Sequence, residues 1–124
     1  MKLTNYFFIG ALFLSLAFIG CRKKADTIVK IQVTDSATNS SVSGATVTLD
    51  ASPSTQVNFA KKDVFPFTST SNSSGEAVFN LNALYELGQA GVAVLDIKAS
   101  SGTNTGKGVI KVIEEATSYE TVFI

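Results

Sequence analysis

The chain carries one cysteine, Cys21, and neither histidine nor tryptophan. A disulfide framework needs pairs, so a lone thiol calls for another role, and acylation supplies one. Without histidine the commonest general base and a common zinc ligand are missing, and without tryptophan the best sugar-stacking ring is missing too. That removes most kinds of catalytic site but does not rule out carboxylate chemistry. Beyond Asp26 the acidic residues are Asp35, Asp50, Asp63, Glu76, Glu86, Asp96, Glu114, Glu115 and Glu120. A glycosidase needs two carboxylates facing each other about 5–10 Å apart, which this scattered spacing does not specify. None of them forms an Asp-x-Asp-x-Asp-Gly calcium loop. They are expected to be solubilising charges at turns and strand faces, and no catalytic residue, metal site or cofactor is expected. The aromatic candidates for a binding surface are Phe59, Phe65, Phe67, Tyr85 and Tyr119. Phe65 and Phe67 share one strand face and are expected in the core. Phe59 and Tyr85, if exposed together, could stack on a sugar or grip a protein.

Cys21 sits directly behind an apolar run, Tyr6 to Ile19, preceded by Met1-Lys2 and closed by Gly20. A charged start, an apolar middle and a small residue at the end are the marks of a secretory signal peptide. Phe18-Ile19-Gly20-Cys21 resembles the lipobox of bacterial lipoproteins, with Phe18 where Leu is usual. That resemblance implies cleavage between Gly20 and Cys21 and a lipid (palmitate among its acyl chains) on Cys21. Two other readings stay open. The run could be an uncleaved membrane helix, about 18 apolar residues being near the minimum that spans a bilayer, or an ordinary signal peptide precedes a buried cysteine.

Removing residues 1–20 from 124 leaves 104, enough for one small domain. Such a domain buries well over half of its unfolded surface and needs no staple. Ten basic residues balance ten acidic ones, so there is no basic field for nucleic acid and no acidic tail. The one basic cluster is Arg22-Lys23-Lys24. It reads as a solvated tether, or as charges lying on anionic headgroups at about 1 kcal/mol each. Arg22 to Asp26 reaches at most about 17 Å, which keeps the folded part close to its membrane.

The elements that must position these residues are short alternating strands. Val29, Ile31 and Val33 alternate with Lys30, Gln32 and Thr34, and Ala45, Val47 and Leu49 with Thr46, Thr48 and Asp50. Val57 and Phe59 could add a short strand. Val64–Thr70 predicts a strand placed at a sheet edge by Pro66, which cannot donate to a ladder. Gly75 closes a turn over 71–75, and Ala77, Phe79 and Leu81 then point one way. Leu81, Leu84 and Leu87 have helical spacing, so 82–87 predicts one helical turn ended by Gly88. Strands over 92–99, 106–113 and 119–124 complete the series, with 100–104 as a hairpin connection. About seven strands and no crossover helix predict an all-β, seven-stranded antiparallel Greek-key β-sandwich over residues 27–124, after a signal peptide (1–20) and an acylated, basic tether (21–26).

Two stretches carry a family resemblance. Val33-Thr34-Asp35 followed by Val42-Ser43-Gly44-Ala45-Thr46-Val47-Thr48-Leu49 resembles the first hairpin of carboxypeptidase-regulatory-like domains, within the transthyretin-like (prealbumin-like) sandwiches. Thr68-Ser69-Thr70 with Ser74-Gly75-Glu76-Ala77-Val78-Phe79 resembles the second. The Gly-Tyr these domains often carry later is Gly102-Thr103 here. The resemblance implies a scaffold and no activity. Its hydrolase relatives rely on histidines and a C-terminal Tyr-Arg-Gly-Ser, whereas this chain ends Thr-Val-Phe-Ile. The collagen-adhesin relatives form a Lys–Asn isopeptide bond, but Lys30 alternates onto the polar face and 119–124 contains no Asn. Asp26-Thr27-Ile28 and Asp35-Ser36-Ala37 resemble the Asp-Ser/Thr-apolar sites that some Gram-negative bacteria O-glycosylate, which makes Thr27 and Ser36 candidate acceptors; chance turn composition is the competing explanation. The resulting expectation is a non-enzymatic lipoprotein of the bacterial cell envelope, held on the outer membrane through Cys21 and facing the periplasm or the surface. Its expected partner is an unknown envelope protein or, alternatively, a glycan in a polysaccharide-uptake system.

Overall fold

The computed structural model describes residues 20–51, 65–86 and 91–124. Phe59 and the short strand expected near it lie outside the described residues. Among the described residues the strands are β1 (Ile28–Thr34), β2 (Thr46–Ala51), β3 (Phe67–Thr70), β4 (Glu76–Asn80), β5 (Val92–Ser101), β6 (Asn104–Ile113) and β7 (Thr117–Phe123), with one helical turn, α1 (Asn82–Glu86). They form two sheets ordered β4-β1-β7 and β3-β2-β5-β6. The architecture is therefore all-β and two-layered, as a β-sandwich requires.

It is not wholly antiparallel. β1 pairs antiparallel with β4 but parallel with β7, from Ile28 opposite Thr117 to Thr34 opposite Phe123. The expected antiparallel Greek key is corrected to one mixed and one antiparallel sheet. The cause is placement: the chain enters β1 beside the β6–β7 turn, where Ile28 N–H donates to Ala116 O (3.0 Å), so both strands start at the same end. The two stretches expected to be hairpins, β1–β2 and β3–β4, are corners that pass from one sheet to the other. Gly75 makes the second corner possible. It has φ +78°, and a Cβ there would lie 2.9 Å from Val33 O, a position only glycine fills.

Alternation decides the two faces. Val29, Ile31, Val33, Val47, Leu49, Ala77, Phe79, Leu95, Ile97, Ile110, Val112 and Val122 meet in one core. Losing most of a side chain at a site such as the fully buried Ile31 costs about 2–5 kcal/mol. β3 starts after Pro66 and lies at a sheet edge, and half-buried Phe65 and Phe67 pack edge-to-face (centroids 5.2 Å apart) against the core. The inward positions of β6 are Gly106 and Gly108 and then Ile110 and Val112, so the β7 backbone closes against the glycine half of the strand.

Candidate functional site

Of the residues singled out for binding, Tyr85 belongs to the core. Its ring is 5% exposed, and its hydroxyl donates toward Val112 O (3.3 Å) and Gly91 O (3.5 Å). Burial first, and the charge of Glu114 second, push that hydroxyl above the ordinary tyrosine value. Its place as a surface residue is corrected: Tyr85 lies four positions after Leu81, on the side of α1 that faces inward. Thr27 is corrected in the same way. It is fully buried, and its Oγ1 accepts a bond from Glu115 N–H (2.9 Å), so no glycosyltransferase reaches it in the folded chain. Ser36 is exposed, with its hydroxyl donating to Ile124 O (3.0 Å). Local chemistry accounts for the Asp-Ser-Ala sequence there. Asp35 Oδ1 accepts from Ala37 N–H (2.8 Å) and Thr38 N–H (3.1 Å), and those two bonds hold its carboxyl below the usual aspartate value.

The residues that do gather on the surface are on the outer face of the three-stranded sheet. Val33, Val122 and Ile124 point inward, so Lys30, Gln32, Tyr119, Thr121 and Phe123 point outward by alternation. Tyr119 is 67% exposed and Phe123 54%. Four positions apart on one strand, they are separated by about 13 Å. Lys30 sits opposite Tyr119 on β7 and Val78 on β4. Its Nζ is 5.9 Å from the Tyr119 ring centroid and 3.5 Å from Glu76 Oε1. Each contact stabilises by well under 1 kcal/mol at such exposure, but together they hold the ammonium beside the ring. Gln32 is held too, with Nε2 donating to Ser41 Oγ (3.1 Å) and Ser74 O (2.9 Å).

These side chains border a shallow depression of about 290 Å³ lined by Lys30, Gln32, Glu76, Tyr119, Glu120 and Thr121. It offers an aromatic ring, an ammonium, carboxylates, an amide and a hydroxyl on one open surface. Such a surface can stack the apolar face of a ligand while bonding its polar edge. It lacks the enclosed walls that a catalytic pair of carboxylates uses to exclude water. Among the described residues, no three His, Cys, Asp or Glu side chains come together as a metal-binding group. Cys21 is exposed and in no disulfide, Gly20 before it is also exposed, and among the described residues no helix is long and apolar enough to cross a membrane.

No family model matches the chain, and no curated protein matches it. Over 80% of its length the chain is similar to a solved structure described as "The Bacillus anthracis TIE protein", at 11% identity and a TM-score of 0.47. The chain spans 16% of that structure's length.

Proposed function

We propose that this protein is a lipid-anchored, non-enzymatic binding module of the bacterial cell envelope. In this reading it is built on a carboxypeptidase-regulatory-like sandwich and engages its partner on the outer face of the three-stranded sheet. The observation that carries the reading is the pair of exposed rings, Tyr119 and Phe123, on one strand face, beside an ammonium fixed between a ring and a carboxylate. Exposed aromatic rings set among polar groups are the composition of recognition surfaces. The anchor is supported by the Phe18-Ile19-Gly20-Cys21 sequence and by the exposure of Cys21 ahead of β1. An outer-membrane location goes with that anchor.

The partner is an envelope protein. A glycan is the second reading, favoured by the depression in which the Tyr119 ring adjoins donors and acceptors. Binding to a panel of polysaccharides, with Tyr119→Ala and Phe123→Ala against Lys107→Ala on the opposite sheet, separates the two. Affinity that falls about tenfold or more in the first two variants alone selects the glycan. No polysaccharide binding, with a photo-crosslinker at position 119 capturing one defined envelope protein, selects the protein. If neither occurs, or if the control weakens binding equally, this face is not the site. Cys21→Ala is expected to leave the membrane fraction, and its retention there would count against the anchor.

A further inference from the structure

The segment between Cys21 and β1 is bound to the domain along its length. Lys24 Nζ lies 2.8 Å from Glu114 Oε1, and Arg22 Nη2 lies 3.5 Å from Glu115 Oε2. Ala25 N–H donates to Glu115 Oε1 (3.0 Å), and Thr27 N–H donates to Asn82 Oδ1 (2.9 Å). Asn82 Nδ2 donates in turn to Asp26 Oδ1 (2.7 Å), and Glu115 N–H to Thr27 Oγ1 (2.9 Å). Exposed ion pairs are weak singly, but here they flank a run of backbone bonds that fixes the path of the chain. Glu115 has φ +58°, and the turn it helps shape directs its carboxylate at this segment.

The strap ends at the same end of the sandwich where β5 begins and β6 finishes. There Val92 and Ile113 face each other across the ladder, 46% and 45% exposed. Glu114, the strap's ion-pair partner, is the next residue after Ile113. Exposed Lys111 stands two positions before Ile113 on the same strand face, and exposed Lys23 lies in sequence between Arg22 and Lys24, which answer the charges of Glu115 and Glu114. An apolar pair flanked by lysines, next to the point where the chain leads back to its anchor, matches a bilayer surface with anionic headgroups.

We infer that this end of the sandwich is the membrane-facing surface, with Val92 and Ile113 against the lipid and the strap holding the domain upright. The inference rests on the anchoring proposed above. Its consequence is that the turn over 101–104 points away from the membrane. β6 spans ten residues, from Asn104 to Ile113, so its two ends stand about 30 Å apart.

The test uses the acylated chain in phosphatidylethanolamine–phosphatidylglycerol vesicles. Acylation consumes the Cys21 thiol, so a single fluorophore can be placed through Ile113→Cys or Thr103→Cys. Headgroup-region spin-labelled lipid is expected to quench the label at 113 several-fold more than the label at 103. Equal or reversed quenching on vesicle-bound protein overturns the orientation and leaves the anchor standing. Failure of the acylated chain to sediment with vesicles overturns both. Glu114→Gln with Glu115→Gln, which breaks both ion pairs without adding positive charge, should bring the two quenching values together without changing sedimentation; an undiminished difference would show that the strap does not set the orientation.

Discussion

Replacing Gly106 by alanine tests how the sandwich is closed. Gly106 faces inward on β6, opposite Ala99 of β5, and its φ is outside the left-handed region. An added Cβ therefore costs only what it collides with. It would overlap the carbonyl oxygen of Phe123 and lie 2.9 Å from both that carbonyl carbon and Val122 Cγ1. The obstacle is backbone of a strand fixed in register with β1, where Phe123 faces Thr34 and Ile124 N–H donates to Thr34 O (2.9 Å). β7 must shift as a unit, at the upper end of the overpacking range, about 3 kcal/mol. The lower unfolded-state entropy of alanine offsets only about 0.4–1 kcal/mol of this. In a domain of this size each kcal/mol lowers Tm by about 4–8 °C, so Gly106→Ala should melt about 10–15 °C below the parent. Gly108 is the internal control. A Cβ there would lie 3.2 Å from Val122 Cγ2 and 3.5 Å from Ile97 Cδ1, side-chain tips that can give by a few tenths of an ångström. Gly108→Ala should stay within about 1 kcal/mol of the parent. Thermal and urea unfolding of residues 21–124 with Cys21→Ser reads both values. Equal melting of the two variants, or a Gly106→Ala protein as stable as the parent, would refute the close approach of β7 to β6.

Ser71→Ala removes a buried hydroxyl that accepts from Ala45 N–H (2.9 Å) and donates to Val42 O (2.6 Å); urea unfolding should show a loss of about 1–3 kcal/mol. Thr27→Val keeps the volume but strands Glu115 N–H, at about 1–2 kcal/mol, and should raise amide exchange at Glu115. Stability should fall with acid. The carboxyl of Glu114 is held below its ordinary value by its bond to Lys24, then by that from Gly91 N–H, and Asp35 is held low by its own turn. A depressed folded value means stability that is complete above the unfolded value of about 4.5 for Glu114 and is lost as pH drops through the folded one. Glu114→Gln should flatten part of that acid slope in pH-dependent unfolding, and an unchanged slope would mean that Lys24 does not hold Glu114.

Faces were readable from the sequence wherever alternation is local. Val29, Ile31 and Val33, like Val47 and Leu49, fill the core as period two requires, and Pro66 marked the edge position of β3. The same period run backward from Val29 places Thr27 inside, and run backward from Val122 it places Tyr119 outside. Tyr85 stands at helical spacing from Leu81, which places it on the buried side of α1. The alternating Gly106 and Gly108 also carry local information, since glycine inside a strand marks a close backbone approach. What no local pattern encodes is which strands neighbour one another. The parallel β1–β7 pair joins residues about ninety positions apart and is set by where the chain enters the sheet. The strap was legible only as charge: Arg22-Lys23-Lys24 and Glu114-Glu115 are complementary, but only the β6–β7 turn brings them together.

The anchor on Cys21 underlies the proposed function, and it can be read from the intact mass of the protein extracted from membranes. A chain beginning at Cys21 and heavier by its acyl groups is the predicted result. A chain that retains residues 1–20, or one whose Cys21 is a free thiol, would contradict the account.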